Sequence, residues 1–65
     1  MDNKVRDCIF NAINHYSFTK EDIVILGEER IKKGTIYTLM IDNTNVYVKD
    51  PFKILVNDQM QVSFV

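Results

Sequence analysis

From Ile23 to Val65, apolar and polar residues alternate repeatedly between short turn signals, the period-two pattern of half-buried β-strands. Before that stretch the period changes. Val5, Ile9, Ala12 or Ile13, and Tyr16 recur at spacings of three and four, which lines them up on one face of an amphipathic helix over about residues 3 to 16. Asp2 and Asn3 suit its start, because their short side chains accept hydrogen bonds from N–H groups that the first turn leaves unpaired. Asn14, His15 and Ser17 are weak helix formers and mark its end, and Phe18 is expected to fold back as a core anchor. Thr19 and Asp22 have capping-box spacing, so this segment reads as a turn or a short second helix. The β-branched run Ile23-Val24-Ile25 then starts a strand.

The turns predict registers. Lys32-Lys33-Gly34 suits a three-residue hairpin loop with Gly34 in the left-handed conformation, which places Ile31 opposite Thr35, Ile25 opposite Ile41 and Leu26 opposite Met40. Asp42-Asn43-Thr44-Asn45 is a second turn signal, and closing it sets Ile41 against Val46 and Leu39 against Val48. These registers agree on one apolar face, built from Ile23, Ile25, Ile31, Tyr37, Leu39, Ile41, Val46 and Val48, which the helix is expected to cover. Pro51 ends the third strand, since proline cannot donate to a ladder. Phe52, Ile54 and Val56, then Met60, Val62 and Phe64, alternate about the polar turn Asn57-Asp58-Gln59. A three-residue loop there pairs Val56 with Met60, Ile54 with Val62 and Phe52 with Phe64, and the last strand runs to the end of the sequence, which predicts a C-terminus tied into the sheet.

The expected architecture is therefore one α+β domain spanning residues 1 to 65: an N-terminal helix packed on a curled antiparallel β-meander of four to five strands, with a small partly open barrel as the more closed variant. At 65 residues such a domain buries a small core and leaves little room for a deep cleft. Hydrophobic residues make up 46% and charged residues 26%, which is the balance of a folded chain. The formal charge of −1 supplies no field to gather nucleic acid or anionic lipid. The longest apolar run, Ile23 to Leu26, is far short of a membrane span, the N-terminal residues lack a secretory signal, and a single cysteine cannot form an internal disulfide. Together these predict a cytoplasmic, non-membrane protein.

Candidate chemistry is sparse. His15 and Cys8, each the single residue of its kind, cannot assemble a three- or four-ligand zinc site, and neither a cofactor motif nor a phosphate-binding glycine loop occurs. Histidine near a helix C-terminus is favoured by the dipole alone, and Cys8 at the edge of the apolar helical face reads as a packing residue. Glu28 and Glu29 are neighbours in a strand and point to opposite faces, so they do not form a carboxylate pair. No catalytic residues are assigned, and the chain is expected not to be an enzyme.

Two surfaces could instead bind. The predicted registers gather Val24, Leu26, Ile36, Met40 and Tyr47 on the far face of the meander, among Glu28, Arg30, Thr38 and Lys49; an open sheet covered on one side should be polar there. Either the Phe52 to Phe64 segment closes over this patch as a second half of the core, or the patch, with Lys49 at its border, docks on a partner. Arg30, Lys32 and Lys33 cluster at a hairpin tip that could grip phosphate, although Glu28 and Glu29 offset their charge. The expected function is a non-catalytic protein-binding module that acts by occupancy, an accessory or inhibitor protein masking a surface of a larger one. A small protein of a phage or other mobile element fits that description. The alternatives are a nucleic-acid-binding module using the basic tip, and a structural subunit that self-assembles, for instance as a homodimer, through the apolar face or an edge strand.

Overall fold

In the computed structural model the described residues are 3–13, 18–44 and 50–65. A helix, α1 (Asn3–Ala12), and a single 3-10 turn (Lys20–Asp22) precede four strands: β1 (Ile23–Ile31), β2 (Gly34–Ile41), β3 (Phe52–Asn57) and β4 (Val62–Phe64). All neighbouring strands are antiparallel and the order is β1-β2-β3-β4. Among the described residues the meander is an open sheet, so the expectation of a partly open barrel is not met: β1 and β4 do not pair with each other and form its two edges. Among the described residues, no helix is long and apolar enough to cross a membrane.

The helix forms where the period of three and four predicts it, and the amide of Ile13 still reaches back to Ile9 O at 3.0 Å. The predicted extension to residue 16 lies outside the described residues, as do Asp2 and His15. Much of the face expected to be covered is covered: Ile9 of α1 and Ile13 just beyond it join Ile23, Tyr37, Leu39 and Ile41 in the core, while Val46 and Val48 of the expected face lie outside the described residues. Phe18 is buried with them, its ring edge-on to Phe10 at 5.5 Å between centroids. Ile54 and Val56 complete the same core, so the last hairpin extends the sheet sideways and does not close over its far face.

Four pairings depart from expectation. First, Ile31 pairs with Gly34, leaving a two-residue loop of Lys32 and Lys33. Neither lysine takes a positive φ, as the twist-matched two-residue turns require, and the adjustment falls on Gly34, whose φ is +153°. Its backbone also lies so close to β3 that a Cβ would stand 2.3 Å from Val56 O. Second, β1 carries a bulge between Ile25 and Gly27, so that Ile25 pairs with Leu39 and Glu28 with Tyr37, while Leu26 has no opposite number in β2. Third, β2 takes Phe52–Asn57 as its partner: Leu39 lies opposite Phe52, not Val48, and the expected Ile41 to Val46 pair lies outside the described residues, as does Val48.

The β3–β4 register is displaced by two residues from expectation, with Val56 opposite Val62 and Ile54 opposite Phe64. Asn57 explains the longer loop. Its side-chain oxygen accepts from the backbone amides of Gln59 and Gln61, and its side-chain amide donates to Gln61 Oε1, all at 2.9 Å. The five-residue arrangement supplies hydrogen bonds that a three-residue loop would lack. It leaves Met60 exposed in the left-handed region at φ 61°.

Candidate functional site

The bulge decides which side chains share the face opposite α1. In an antiparallel ladder opposed residues project to the same side, so Ile36 on this back face is accompanied by Glu29 on β1 and Leu55 on β3. By the same rule Val24 accompanies Met40, and Ile31 accompanies Gly34. Five apolar residues, Val24, Ile31, Ile36, Met40 and Leu55, therefore occupy one surface, and all five are half-buried. Among the described residues no helix or strand lies across it. Thr38 separates Ile36 from Met40, while exposed Glu29 and Lys53 place one acid and one base at the border.

Of the residues predicted for partner binding, Val24, Ile36 and Met40 are thus brought together. Leu26 sits at the bulge, 52% exposed, without an opposite residue in β2 to fix its face. Tyr47 and Lys49 lie outside the described residues. The bulge also reverses two assignments: Glu28 and Arg30, expected on this face, pair with Tyr37 and Thr35 on the helix side, whereas Ile31, expected in the core, moves to the back. Ile31 and Leu55 were missed as members of the patch. Gly27 was the available signal for Ile31, since an isolated strand glycine often marks a bulge. Leu55 was hidden by the emphasis on the alternate positions Phe52, Ile54 and Val56.

The basic tip is assembled as predicted in part. Lys32 and Lys33 are exposed at the β1–β2 turn. Arg30, however, is held by Asp58 across the end of the sheet, Nη2 to Oδ1 at 3.1 Å, and its Nη1 reaches Thr35 Oγ1 at 3.4 Å. Both charged partners are well exposed, so the pair adds at most about 1 kcal/mol to stability, but it offsets one of the three positive charges.

At the opposite end of the sheet Asp22 joins three segments. Its Oδ2 accepts from Asn43 Nδ2 at 2.9 Å and from the amide of Thr19 at 3.0 Å, while Asp22 O accepts from the amide of Asp42 at 2.8 Å. The Asn43 hydrogen bond, followed by that from Thr19, lowers the Asp22 pKa below its ordinary value. These bonds define a structural clamp at the start of β1, with the acid half of the expected capping box realised in the Thr19 contact.

One open groove of about 550 Å³ runs between α1 and β4, lined in part by Cys8, Ala12, Met60 and Val62 with Lys4 and Asp7 at its border. Cys8 Sγ donates to Met60 O at 2.9 Å, tying the helix to the left-handed residue of the last turn. Asp7 is paired with Lys20 at 3.1 Å, which anchors the helix to the 3-10 turn. Among the described residues no group of three or more His, Cys, Asp or Glu side chains is placed to hold a metal ion. The chain matches no protein-family model, no curated protein and no solved structure.

Proposed function

We propose that the protein is a non-catalytic binding module that docks through the back face of its sheet and acts by occupying a surface of a larger protein. The observation that carries this reading is the set Val24, Ile31, Ile36, Met40 and Leu55, gathered on a face across which no described element lies. A sheet needing only one covered face would carry polar side chains there. Instead the centre is apolar, with methionine able to adapt to an irregular partner. Glu29 and Lys53 border it on different strands, so the fitting partner surface has an apolar centre with a basic group facing Glu29 and an acidic one facing Lys53. A small accessory or inhibitor protein that masks a functional surface works through such a patch.

The test compares capture from extract of the source cell, with and without nuclease treatment, by the tagged chain, by Ile36→Lys and by Arg30/Lys32/Lys33→Ala. A near-stoichiometric protein retained by the wild type and the triple variant, and lost from a folded Ile36→Lys chain, supports the reading. Retention by Ile36→Lys would overturn it, as would recovery of nucleic acid alone.

A further inference from the structure

The two edges of the sheet differ in chemistry. The β1 edge carries a bulge followed by Glu28, Glu29 and Arg30, features that discourage another strand from pairing. The β4 edge has neither. Residues 59–65, Gln-Met-Gln-Val-Ser-Phe-Val, contain no charged side chain, and Phe64 and Val65 are each 73% exposed. Large apolar side chains concentrated on an uncharged edge invite strand addition.

We propose that β4 pairs antiparallel with β4 of a second copy of this chain, joining two sheets of four into one of eight. The partner follows from the hydrogen-bonding pattern. The amide of Asn57 donates to Gln61 O at 3.0 Å, so the backbone of Gln61 faces β3. Strand alternation then turns Ser63 toward β3, and turns the N–H and C=O groups of Val62 and Phe64 outward. About a two-fold axis through Ser63, Val62 of one copy falls opposite Phe64 of the other, so the outward groups of one strand meet those of its mate. Gln61 meets Val65 in the same register. The left-handed backbone of Met60 ends the extended segment and disfavours registers displaced toward the turn.

Side chains fit this register as well. Val62 and Phe64 lie on the helix face of β4, so each exposed Phe64 gains a β-branched neighbour from the partner, a favourable cross-strand pair. The grooves between α1 and β4 of the two copies are brought side by side, and Ser63 meets its own copy on the back face. No like charges are opposed. The contact is isologous and closes at two copies, leaving only the charged, bulged β1 edges at the ends of the joined sheet. This inference uses the edge and not the back face, so it stands or falls separately from the masking function.

Sedimentation equilibrium of the isolated chain up to about 1 mM tests it, with a concentration-dependent dimer as the expected result. Phe64→Pro removes an outward N–H at an edge position where proline is tolerated, and it should weaken the dimer at least about tenfold without loss of the circular dichroism signal. Ser63→Glu and Ser63→Lys, each opposing its own charge, should each dimerise more weakly, whereas an equimolar mixture should restore the wild-type association. In the unmodified chain, amide exchange at Val62 and Phe64 should slow on dimerisation while that at Glu28 and Glu29 does not. A chain monomeric at the highest concentration, or a dimer unaffected at Ser63 and without protection at Val62 and Phe64, would overturn the proposal.

Discussion

Ile54 and Leu55 are neighbours on β3, and so are Ile36 and Tyr37 on β2, yet the pairs part company at once. Ile54 is fully shielded and Tyr37 nearly so, beneath the helix, while Leu55 and Ile36 lie half-buried on the other side. The strand composition is apolar toward both faces. What separates core from surface is the placement of α1, a ten-residue helix about 15 Å long that can lie on only one side of the sheet. The helix face is a packing problem already solved within the chain. The back face carries side chains of the same kind without a described element to pack on, and that difference motivates the masking function.

Two substitutions should destabilise the fold most strongly, one on the covered face and one at the close approach of β2 to β3. Leu39 is completely buried between α1 and the sheet, and Leu39→Ala is expected to cost about 3 kcal/mol, from the lost transfer free energy and the cavity left behind. Against a total stability of about 3–5 kcal/mol for a domain of this size, this leaves about 0–2 kcal/mol, so urea denaturation should find the variant marginally folded, with its midpoint at low urea. Gly34→Ala should rank next, at about 2 kcal/mol. The added methyl would meet Val56 O at 2.3 Å and Asn57 Cα at 2.7 Å, and it would hold a non-glycine residue at φ +153°. An unchanged urea midpoint would show that the β2–β3 approach relaxes at little cost.

The same contrast explains how much was legible from sequence. Face assignment depends on parity, and parity survives an error of two: β3 and β4 are displaced by two residues from the expected register, yet Val62 and Phe64 still lie on the helix side. It does not survive an error of one. The single extra residue at Leu26 exchanges Ile31 with Glu28 and Arg30 between faces, although local alternation is unchanged. The helix, the strand character of Ile23 to Ile31 and most of the core were readable because periodicity encodes them directly. The choice of β2's partner was not, because residues 46 to 48 and 52 to 56 both alternate and no local signal ranks them. The left-handed Met60 was equally hidden, since the device that holds its loop is the Asn57 side chain and not a glycine.

A substitution on the uncovered side should reverse the balance of effects. Ile36→Lys places a long, flexible cation on the back face, where its head group can reach water, and stability should change by less than about 1 kcal/mol. Partner binding should be lost nonetheless, because a charge would be forced into the centre of the apolar patch. A stability loss as large as that of Leu39→Ala would mean that Ile36 belongs to the monomer core and would remove the distinction between the faces.

The mildest effect should come from titration of Asp22, which clamps the helix end of the sheet without contributing to the back-face patch. Hydrogen bonds from Asn43 and Thr19 favour its ionised form, so its folded pKa lies below the ordinary 3.8 while the unfolded chain retains that value. The unfolded state therefore binds the proton more readily. The clamp's contribution is fully present above about pH 3.8 and is lost as pH falls through the lowered folded value. Asp22→Asn cannot titrate, so the difference in urea midpoint between wild type and variant should shrink as the solution is acidified through that window and stay constant above it. Partner affinity measured near neutral pH should be the same in both, since Asp22 belongs to the clamp and Ile36 to the docking face. A fall in affinity on Asp22→Asn would tie the two sides of the sheet together and make the back face dependent on the ordering of the β1–β2 end.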